Sequence, residues 1–549
     1  DKVLSMDAVA KNRSTSPYGT IVAFSESPLN ENLLYVGTDD GLVQITTDSG
    51  QSWTKVSSFP GVPNRTYVNM LLASQHDENV VYGVFNNHKN GDFKPYVFRS
   101  SDKGRTWSNV TNNLPKKGSA YCIAEDHVDK DLLFVGTEYT ALVTTNGGKN
   151  WKKLSAGLPT ITVRDMAIQQ RENDLVLATF GRGFYVLDDY SALRNVKPAL
   201  VEKDAAIMPI ADGKIYIESL PLGLRGNSFQ GHNYYAAKNP PVGVAIDYFV
   251  KNKLKTRKDE RKAAEKELIK AKKDVAYPTM EALEAETREA KPYLLFTIKN
   301  SAGETVRKIK TSAKTGVNRL VWDGRYPSKS PVSLKPRDTS NPFAGVDQGI
   351  LAAPGNYTVS LAQSYRGEMT ELVAPTAFKL DVLGGTTLPA ADRADLVDFQ
   401  AKVTELDRVF SGANRRMSDL SKTLKHATKA VYAIDAPTAD LMSDIKAMED
   451  QIYTIRKAFY GDRNASKLDQ PQPYSIGNRI GYLGYEMSSS TAAPTTTQRE
   501  AYRIASTALA PLMEQLDGLI ERDLMDLERK LEAAGAPYTP GRKVEMGRE

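Results

Sequence analysis

Short apolar runs dominate the first 190 residues, and they recur in sets. The runs at 33–38 and 41–45 are matched by runs at 132–137 and 141–143, and a third pair lies at 175–179 and 183–187. A further run precedes each set, at 21–24, 68–72, 121–124 and 163–168. Runs of this length between Gly and Asp turns predict β-strands. Four strands every 40 to 50 residues or so predict the blades of a β-propeller.

A polar motif of the form Ser/Thr-x-Asp-x-Gly-x-x-Trp, the Asp box, occurs three times among these strands. Its copies are Thr46-Thr-Asp48-Ser-Gly50-Gln-Ser-Trp53, Ser100-Ser-Asp102-Lys-Gly104-Arg-Thr-Trp107 and Thr144-Thr-Asn146-Gly-Gly148-Lys-Asn-Trp151. The Asp carboxylate accepts backbone N–H groups of its own turn, and Gly allows a positive φ. The Trp offers a large apolar face to bury between strands or blades. The motif therefore predicts structure and not activity.

The middle of the chain reads as a second β-rich region. After a Pro- and Gly-rich transition at 198–224, apolar runs lie at 241–249 and 293–298, with further strands at 305–309, 318–322 and 355–361. Between the first two runs, residues 251–290 are dense in Lys, Glu and Ala and predict two helices with a turn near Tyr277-Pro278. Strands of this length and spacing are typical of a small immunoglobulin-like β-sandwich.

The last part of the chain is helical by its periodicity. Apolar residues recur at helical spacing from Leu396 to Leu424, and a second helix restarts after Pro437-Thr438. Residues 461–493 read as a polar connection. The sequence Thr497-Gln-Arg-Glu500 predicts a capping box that opens a third helix, which Pro511 is expected to kink. Three such helices predict an antiparallel bundle.

The fold class that follows is multidomain, mainly β plus α. We predict propeller blades forming an incomplete ring over 1–197, a sandwich over 198–385 with the helical hairpin inserted at 251–291, and a helical bundle over 386–549. About four blades cannot close a ring, so we expect an upstream propeller half, either missing here or present as a separate chain. The absence of an initiator Met and of a signal peptide before Asp1 fits a processed or partial chain.

Composition changes this picture little. The chain has 549 residues, a net charge of +6, and 41% hydrophobic and 25% charged residues, as in an ordinary soluble protein. The charge excess is too small to indicate nucleic acid. No run approaches 18 apolar residues, so no transmembrane segment is predicted. The one cysteine, Cys122, excludes an intrachain disulfide and fits both cytosolic and bacterial envelope proteins.

The repeats resemble the Asp-box (BNR) propellers of sialidases, xyloglucanase-type glycoside hydrolases and sortilin-type sorting receptors. The match is closer to large, exported, sortilin-like bacterial proteins. It is carried by Gly37-Thr-Asp-Asp-Gly-Leu42, Gly181-Arg-Gly-Phe-Tyr-Val-Leu-Asp-Asp189, Asn239-Pro-Pro-Val-Gly243, Asn318-Arg-Leu-Val-Trp-Asp-Gly324 and Pro354-Gly-Asn-Tyr-Thr358. The resemblance implies the last blades of a propeller and the small sandwich that follows it. It also implies a protein about twice as long, exported behind a signal peptide.

Candidate chemistry is sparse. Sialidases need an arginine cluster, a Tyr/Glu nucleophile pair and an acidic Asp, and Arg65, Arg99, Arg164 and Arg182 match no such set. A glycoside hydrolase needs two carboxylates roughly 5–10 Å apart. The candidates near strand ends are Asp39, Asp40, Glu125, Asp126, Glu138 and Asp165, most of which we expect to be solvated or to form turns.

Metal and small-ligand motifs are also weak. His76, Asp77, His88 and Asp92 lack the tight fixed spacing of a metal site, so we predict neither metal nor cofactor. Gly181-Arg182-Gly183 either brings an anion-binding Arg close to a ligand or is simply a tight turn.

We therefore predict a non-catalytic, extracytoplasmic scaffold, secreted, periplasmic or on the cell surface, that binds a protein or peptide, alone or as part of an envelope assembly. The candidate binding residues are Arg182, Asp188, Asp39 and Glu138. The alternative is a sialidase- or xyloglucanase-like glycoside hydrolase with channel carboxylates.

Overall fold

The described part of the chain forms two compact units. The computed structural model describes residues 19–155, 157–218, 231–232, 235, 237–336, 348–384 and 390–543. One unit extends to Pro209 and the other begins at Ile210. The predicted boundaries at 197 and 385 stay predictions, and parts of the predicted transition at 198–224 and of Gly384-Gly385 lie outside the described residues. No helix in the described ranges is both long enough and apolar enough to cross a membrane.

The first unit contains four successive antiparallel meanders. Blade 1 comprises β1 (Ile21–Ser27), β2 (Asn30–Thr38), β3 (Val43–Thr46) and β4 (Thr54–Val56), and blade 2 comprises β5 (Tyr67–Ala73), β6 (Val81–Asn87), β7 (Asp92–Ser100) and β8 (Ser108–Asn109). Blade 3 comprises β9 (Ala120–Glu125), β10 (Leu133–Thr137), β11 (Ala141–Thr144) and β12 (Lys152–Lys153), and blade 4 comprises β13 (Val163–Gln169), β14 (Asp174–Thr179) and β15 (Phe184–Leu187). Each strand pairs with the next, so the sequence pattern correctly predicted propeller blades.

The three motif turns have one hydrogen-bond pattern. In the first, the Thr46 hydroxyl accepts the Gly50 N–H at 2.8 Å, and Asp48 Oδ1 accepts the Ser52 N–H at 2.9 Å. The second and third turns repeat both bonds with Ser100, Gly104, Asp102 and Thr106, and with Thr144, Gly148, Asn146 and Asn150. All three glycines have a positive φ, between 82° and 90°. Hydrogen bonds from the Ser52 hydroxyl and N–H lower the pKa of Asp48 to about 2.

The motif tryptophans pack between blades, with one exception. Trp107 of blade 2 lies in a core cluster with Tyr35 and Ile45 of blade 1, and Trp151 of blade 3 is buried with Tyr82 of blade 2 and other residues. Each of these two tryptophans therefore fills the interface between its own blade and the preceding blade. Trp53 of blade 1 is 44% exposed, whereas Trp107 is 6% exposed.

A short segment ends the first unit. It contains a 3₁₀ turn (Tyr190–Asn195), the helical turn α1 (Pro198–Val201) and the strand β16 (Ala205–Ile207). Tyr190 is buried against Phe134 of blade 3, with ring centres 5.1 Å apart.

The second unit begins with two packed layers of strands. Its strands are β17 (Gly213–Ile215), β18 (Val244–Val250), β19 (Tyr293–Asn300), β20 (Thr305–Ser312), β21 (Gly316–Trp322), β22 (Gly355–Tyr365) and β23 (Glu368–Val382). One sheet has the order β17-β23-β22-β19-β20, and β18 pairs with β21 in another. The buried Trp322 of β21 contacts Tyr357 and Phe378 of the larger sheet, which places the core between the layers.

Strand β23 was missed by the sequence pattern. Pro375 interrupts the alternation of apolar and polar residues in this strand. Because it has no N–H, it cannot donate a hydrogen bond in a regular ladder. The strand accommodates it at an irregularity, because Val359 pairs with Thr376 whereas Leu361 pairs with Val373. The two helices α2 (Arg257–Lys270) and α3 (Met280–Arg288) lie in the interval where a helical hairpin was predicted, and neither contains a buried residue.

The helical region has more helices than the three predicted. They are α4 (Arg393–Val431), α5 (Ala439–Tyr460), α6 (Arg463–Lys467), α7 (Ile476–Ser489), α8 (Thr496–Gly518) and α9 (Met525–Ala533), with a π-helical turn (Leu519–Leu524) before α9. The prediction of a polar connection over 461–493 was wrong, because α7 buries Ile476, Ile480, Leu483 and Met487. Its three glycines have low helix propensity and obscured this stripe.

The start of α8 also differs from the prediction. The capping box is formed by Thr495 and Gln498, two residues before the predicted Thr497 and Glu500, because the same Thr-x-x-Gln/Glu pattern occurs in both registers. The helix continues through Pro511, and the expected kink there stays a prediction; a π-helical turn follows at Leu519–Leu524.

Candidate functional site

The ends of the inner strands form two opposite rims in the first unit. In each blade the first strand begins where the second ends, as the pairs Tyr67↔Asn86 and Val163↔Thr179 show. We call this end the leading rim: the starts of β1, β5, β9 and β13 and the ends of β2, β6, β10 and β14. The opposite end is the trailing rim. Because the blades are successive, side chains from neighbouring blades approach one another at each rim.

Every first strand has a β-bulge near its start at the leading rim. The pairing registers skip one residue in each blade, namely Val22, Asn69, Tyr121 and Arg164. A bulge leaves its extra residue outside the ladder and redirects the side chain. The fourfold repetition makes these four positions structurally equivalent, although their residue types differ.

The bulge residues of blades 2, 3 and 4 contact one another in sequence. Asn69 Nδ2 donates to the Tyr121 carbonyl oxygen at 2.5 Å. Arg164 Cζ lies 4.3 Å from the centre of the Tyr121 ring and 5.7 Å from that of Phe180. This geometry is a cation–π contact, and the Arg164 side chain stays exposed at the surface.

Glu138 completes the charge pattern around Tyr121. The Tyr121 hydroxyl donates to Glu138 Oε2 at 3.5 Å. Burial raises the pKa of Tyr121, the Glu138 carboxylate raises it further, and Arg164 opposes both effects. A positive and a negative group therefore flank one largely buried aromatic ring.

A second aromatic group lies on the same rim. Lys89 Nζ is 5.2 Å from the centre of the Tyr67 ring. Burial raises the pKa of Tyr67, and the Asp39 carboxylate raises it further. Arg164 opposes both effects, so the charge of a blade 4 residue acts on a residue of blade 2. Partial desolvation lowers the pKa of His88, with Lys89 acting in the same direction and Glu138 against it. These effects together favour the neutral form of His88.

Three of the four predicted binding residues lie at the leading rim. Asp39 and Glu138 follow β2 and β10, and Arg182 is in the exposed turn after β14. That turn is closed by the Thr179 N–H on the Gly183 carbonyl at 3.0 Å. Asp188 follows β15, whose Leu187 pairs with Leu175 at the start of β14, so it lies at the trailing rim.

Sequence reasoning did not single out the aromatic members of the leading rim. Tyr67 and Tyr121 are absent from the predicted set, and Arg164 was considered only for sialidase chemistry. The one available signal was their place at the start of each blade's first apolar run. That signal does not show which residue the bulge redirects.

Glu125 does not form a catalytic pair with Glu138. Glu125 pairs with Leu133, whereas Glu138 follows Thr137 at the far end of the same strand. Five residues of strand correspond to about 16 Å, and a glycosidase pair needs roughly 5–10 Å. Glu125 is also occupied, since it accepts the Ser74 hydroxyl, the Gln75 N–H and the Tyr82 hydroxyl.

Asp39, Asp40 and Asp165 also have hydrogen-bond partners. Asp39 Oδ1 accepts the Gly19 and Thr20 N–H groups at 2.9 and 3.0 Å. Asp40 accepts the Thr38 hydroxyl, and Asp165 accepts the Met166 N–H. These three carboxylates are therefore already engaged in hydrogen bonds within the protein.

The two histidine–aspartate pairs are separated by the length of blade 2. His76 and Asp77 follow β5 at the trailing rim, whereas His88 and Asp92 flank the β6–β7 turn at the leading rim. In the described part of the chain, no group of three or more His, Cys, Asp and Glu is placed to hold a metal ion.

The trailing rim contains a groove of about 960 Å³ between blades 2 and 3. Its walls include Tyr82, Arg99, Glu125 and Lys130. Arg99 pairs with Tyr82 in the β6–β7 register and lowers the pKa of Asp77, after the Asn79 hydrogen bonds. Glu125 is already engaged in hydrogen bonds within the protein, so it is not available to a ligand in this groove.

Comparisons with known proteins give limited likeness. No protein family model and no curated protein matches the chain. Among solved structures it is similar to YCF48 bound to D1 peptide, with 17% identity and a TM-score of 0.25, covering 31% of this chain and 52% of that chain. For YCF48 from Cyanidioschyzon merolae the values are 18%, 0.25, 31% and 54%. For the Myceliophteria thermophila Cps50 (Swd1) beta-propeller domain they are 13%, 0.24, 31% and 53%. The chain thus spans about half the length of these structures.

Proposed function

We propose that the chain is a non-catalytic scaffold that binds a protein or peptide at the leading rim of its propeller blades. The observation that carries this proposal is the contact series Asn69–Tyr121–Arg164, formed by equivalent bulge residues of three blades. Tyr and Arg are the residue types most enriched at the energetic centres of protein interfaces. Exposed Phe180 and Lys89 extend this surface on either side.

The charge pattern favours a peptide with both polar and apolar groups. Arg164 offers guanidinium donors beside an exposed aromatic ring, and Glu138 offers an acceptor nearby. Such a surface contacts a peptide side chain through its apolar ring faces and orients it through the charges. Asp39 and Arg182 lie at the edge of the same rim and are proposed as further contacts.

A peptide-binding experiment tests this proposal. Linear peptides selected from a random library on the full chain are measured by fluorescence anisotropy. Arg164→Ala is expected to weaken binding at least about tenfold, through lost cation–π and charge-assisted contacts. Arg171→Ala is the matched control, because Arg171 is exposed on blade 4 but follows β13 at the trailing rim. Equal affinities of the two variants would sink the proposal.

The glycoside hydrolase remains the alternative class, and no observation in the structure favours it over binding. It predicts release of reducing sugar from a polysaccharide panel and loss of that release in Glu138→Gln. Release of reducing sugar that Glu138→Gln abolishes, together with a library that yields no binding peptide, would replace the scaffold proposal.

We further propose that the outer faces of blades 1 and 4 are covered by additional propeller blades, as expected for the Asp-box, sortilin-like group. On blade 4 the cross-strand pairs Val176↔Val186 and Ala178↔Phe184 point away from the blade 3 core, and Phe184 is 75% exposed. On blade 1 Phe24 and Trp53 are exposed. A buried Trp in this motif position covers a preceding blade in the other repeats, so Trp53 is expected to do the same.

Native mass spectrometry of material purified from its source tests the covering blades. Extra blade-forming sequence, as a separate or a continuous chain, is expected, together with protection of Trp53 from acrylamide quenching. A lone 60.4 kDa chain with a quenchable Trp53 would contradict it.

Two further parts of the sequence prediction continue as proposals. We place the protein outside the cytoplasm, alone or within an envelope complex, and intact-cell protease accessibility checks this. We also propose that the strand layers of the second unit are an immunoglobulin-like sandwich, for which the parallel pairing of β17 with β23 in a mainly antiparallel sheet is the supporting observation. An experimental structure with a different strand order would overturn the second proposal.

A further inference from the structure

A polar pocket of about 560 Å³ lies on the helical bundle, between α4, α5 and the segment that contains α6. Its walls include Tyr453, Arg456, Lys457, Tyr460 and Arg463. Four of these are spaced i, i+3, i+4 and i+7 along α5, so they share one face of the helix. A different face of α5 packs into the bundle core through Ile452, Ile455 and Phe459.

The pocket is locally built and not merely a run of surface charges. Arg456 Nη2 donates to the Ser421 hydroxyl of α4 at 2.9 Å, which holds the guanidinium between the two helices. Gly461 ends α5 with φ +84°, a conformation that favours glycine, and turns the chain toward α6. Gln472 then ties the loop back by accepting the Asp462 N–H at 2.7 Å and donating to the Asp462 carbonyl.

The pocket has an excess of positive charge. Its ionisable lining groups, tyrosines aside, are four cations, Arg456, Lys457, Arg463 and Lys467, and one carboxylate, Asp462. Asp462 is already used, because it pairs with Lys457 at 2.7 Å and accepts the Asn464 N–H at the start of α6. These contacts lower the pKa of Asp462, the Lys457 hydrogen bond most strongly. The carboxylate therefore stays ionised and neutralises one cation.

Two tyrosines border the cations. Tyr453 and Tyr460 are 55% and 46% exposed, although the helix between them is well packed. Seven residues of α-helix separate them by about 10 Å. An extended peptide of three to four residues covers this distance at about 3.3 Å per residue.

We propose that this pocket binds an acidic peptide segment, with Arg456 and Arg463 receiving its carboxylates and the tyrosine rings contacting its backbone and stems. Clusters of cations recognise acidic motifs in this way, and Arg pairs with carboxylates through two parallel hydrogen bonds. A peptide is favoured over a sugar acid because the two tyrosines lie apart by the length of an extended segment of three to four residues. This site is independent of the propeller rim.

The experiment uses the full chain and fluorescein-labelled peptides in anisotropy titrations. A peptide of alternating Asp and Glu is expected to bind at least about tenfold more tightly than its Asn/Gln counterpart, with an affinity that falls as salt increases. Arg456→Gln combined with Arg463→Gln is expected to remove most of this preference. Arg415→Gln is the matched control, because Arg415 is an exposed, paired arginine of α4 that does not line the pocket.

Other outcomes would overturn the proposal. Equal binding of the acidic and neutral peptides, or unchanged affinity in the double variant, would remove the site. Tighter binding of an oligouronate or a phosphopeptide than of the Asp/Glu peptide would assign the pocket to another ligand class. Thermal unfolding by circular dichroism, unchanged in all variants, shows that the bundle is intact. These variants leave Arg164 unchanged, and Arg164 is distant from them in the chain. A negative peptide-binding test at the leading rim would therefore not affect the interpretation of this experiment.

Discussion

Arg194 holds Asp126 with two parallel hydrogen bonds, from Nε to Oδ2 at 2.9 Å and from Nη2 to Oδ1 at 2.8 Å. Asp126 directly follows the first strand of blade 3, and Arg194 lies in the 3₁₀ turn after blade 4. The Tyr190 hydroxyl donates to the same carboxylate at 2.7 Å, and the Val128 and Asp129 N–H groups also donate to it. The side chain of Asp126 is fully buried, so this pair fastens the end of the blade array to blade 3.

Asp126→Asn is therefore expected to destabilise the first unit by about 3–5 kcal/mol, because Arg194 is left without its buried counter-charge. Urea unfolding followed by tryptophan fluorescence measures this, since three of the four tryptophans lie in the blades. Asp131→Asn serves as the control, because its ion pair with Lys130 is exposed and worth little. Similar losses in both variants would argue against the clamp.

The same pair predicts acid sensitivity. Burial alone would raise the pKa of Asp126, but hydrogen bonds from Arg194 and Tyr190 outweigh it and lower the pKa to about 2. A lowered folded-state pKa stabilises the protein above the unfolded value near 4, and this contribution is lost as pH falls toward 2. Between pH 7 and pH 2.5 the wild type is expected to lose on the order of 2 kcal/mol more than Asp126→Asn. Parallel pH profiles of the two proteins would contradict this.

The seams between blades give a paired prediction for tryptophan. Trp107→Ala removes a ring that packs edge-on against Phe59 and Phe85, so a loss of about 3–5 kcal/mol is expected. Trp53→Ala removes the equivalent residue of blade 1, which has no preceding blade in the described chain, and is expected to cost less than about 1 kcal/mol. Urea midpoints of the isolated chain check this difference. In native material in which additional blades cover Trp53, the two substitutions should destabilise the protein by similar amounts.

The blades and their turns were predictable because their signals are local. Asp48 and Gly50 act within a turn of a few residues, and alternation along each strand shows which positions face the core. The leading-rim cluster was not predictable in the same way. Whether Tyr121 or Cys122 leaves the ladder depends on a bulge that is set by pairing with β10, and the contact with Arg164 depends on how two blades pack.

The helical region shows a related limit. The stripe of α7 was present in the sequence, but Gly477, Gly481 and Gly484 lowered the local helix propensity. Packing overrides this, because Gly477 lies close to Phe410 and the Phe459 carbonyl, where a larger residue has no room. This glycine thus permits a close helix approach that only the tertiary structure explains.

Helix α7 is accordingly expected to be essential to the bundle. Leu483→Ala removes a fully buried side chain that packs with Phe399 and Val403 of α4 and should cost about 2–5 kcal/mol. Tyr482→Ala, at the exposed neighbouring position, should change stability by less than about 1 kcal/mol. Thermal unfolding monitored by circular dichroism at 222 nm distinguishes the two. A small effect of Leu483→Ala would mean that α7 is peripheral.

Cys122 offers a site-specific probe of the blade 3 to blade 4 seam, since the chain contains no other cysteine. Cys122 is 1% exposed and lies against Gly136, where an added Cβ would overlap Sγ. Burial raises the pKa of the thiol, and Asp165 adds to the effect, so the reactive thiolate is suppressed at pH 8. The native protein is therefore expected to resist Ellman's reagent and to react stoichiometrically in urea.

Gly136→Ala should speed native labelling at least about fivefold by overpacking this contact, at a cost of roughly 1–3 kcal/mol. Gly412 lies in a helix of the second unit, where an added Cβ would meet open space. Gly412→Ala should therefore leave labelling unchanged. Rapid labelling of the native wild type would show that this seam opens readily, and the blade packing would then need revision.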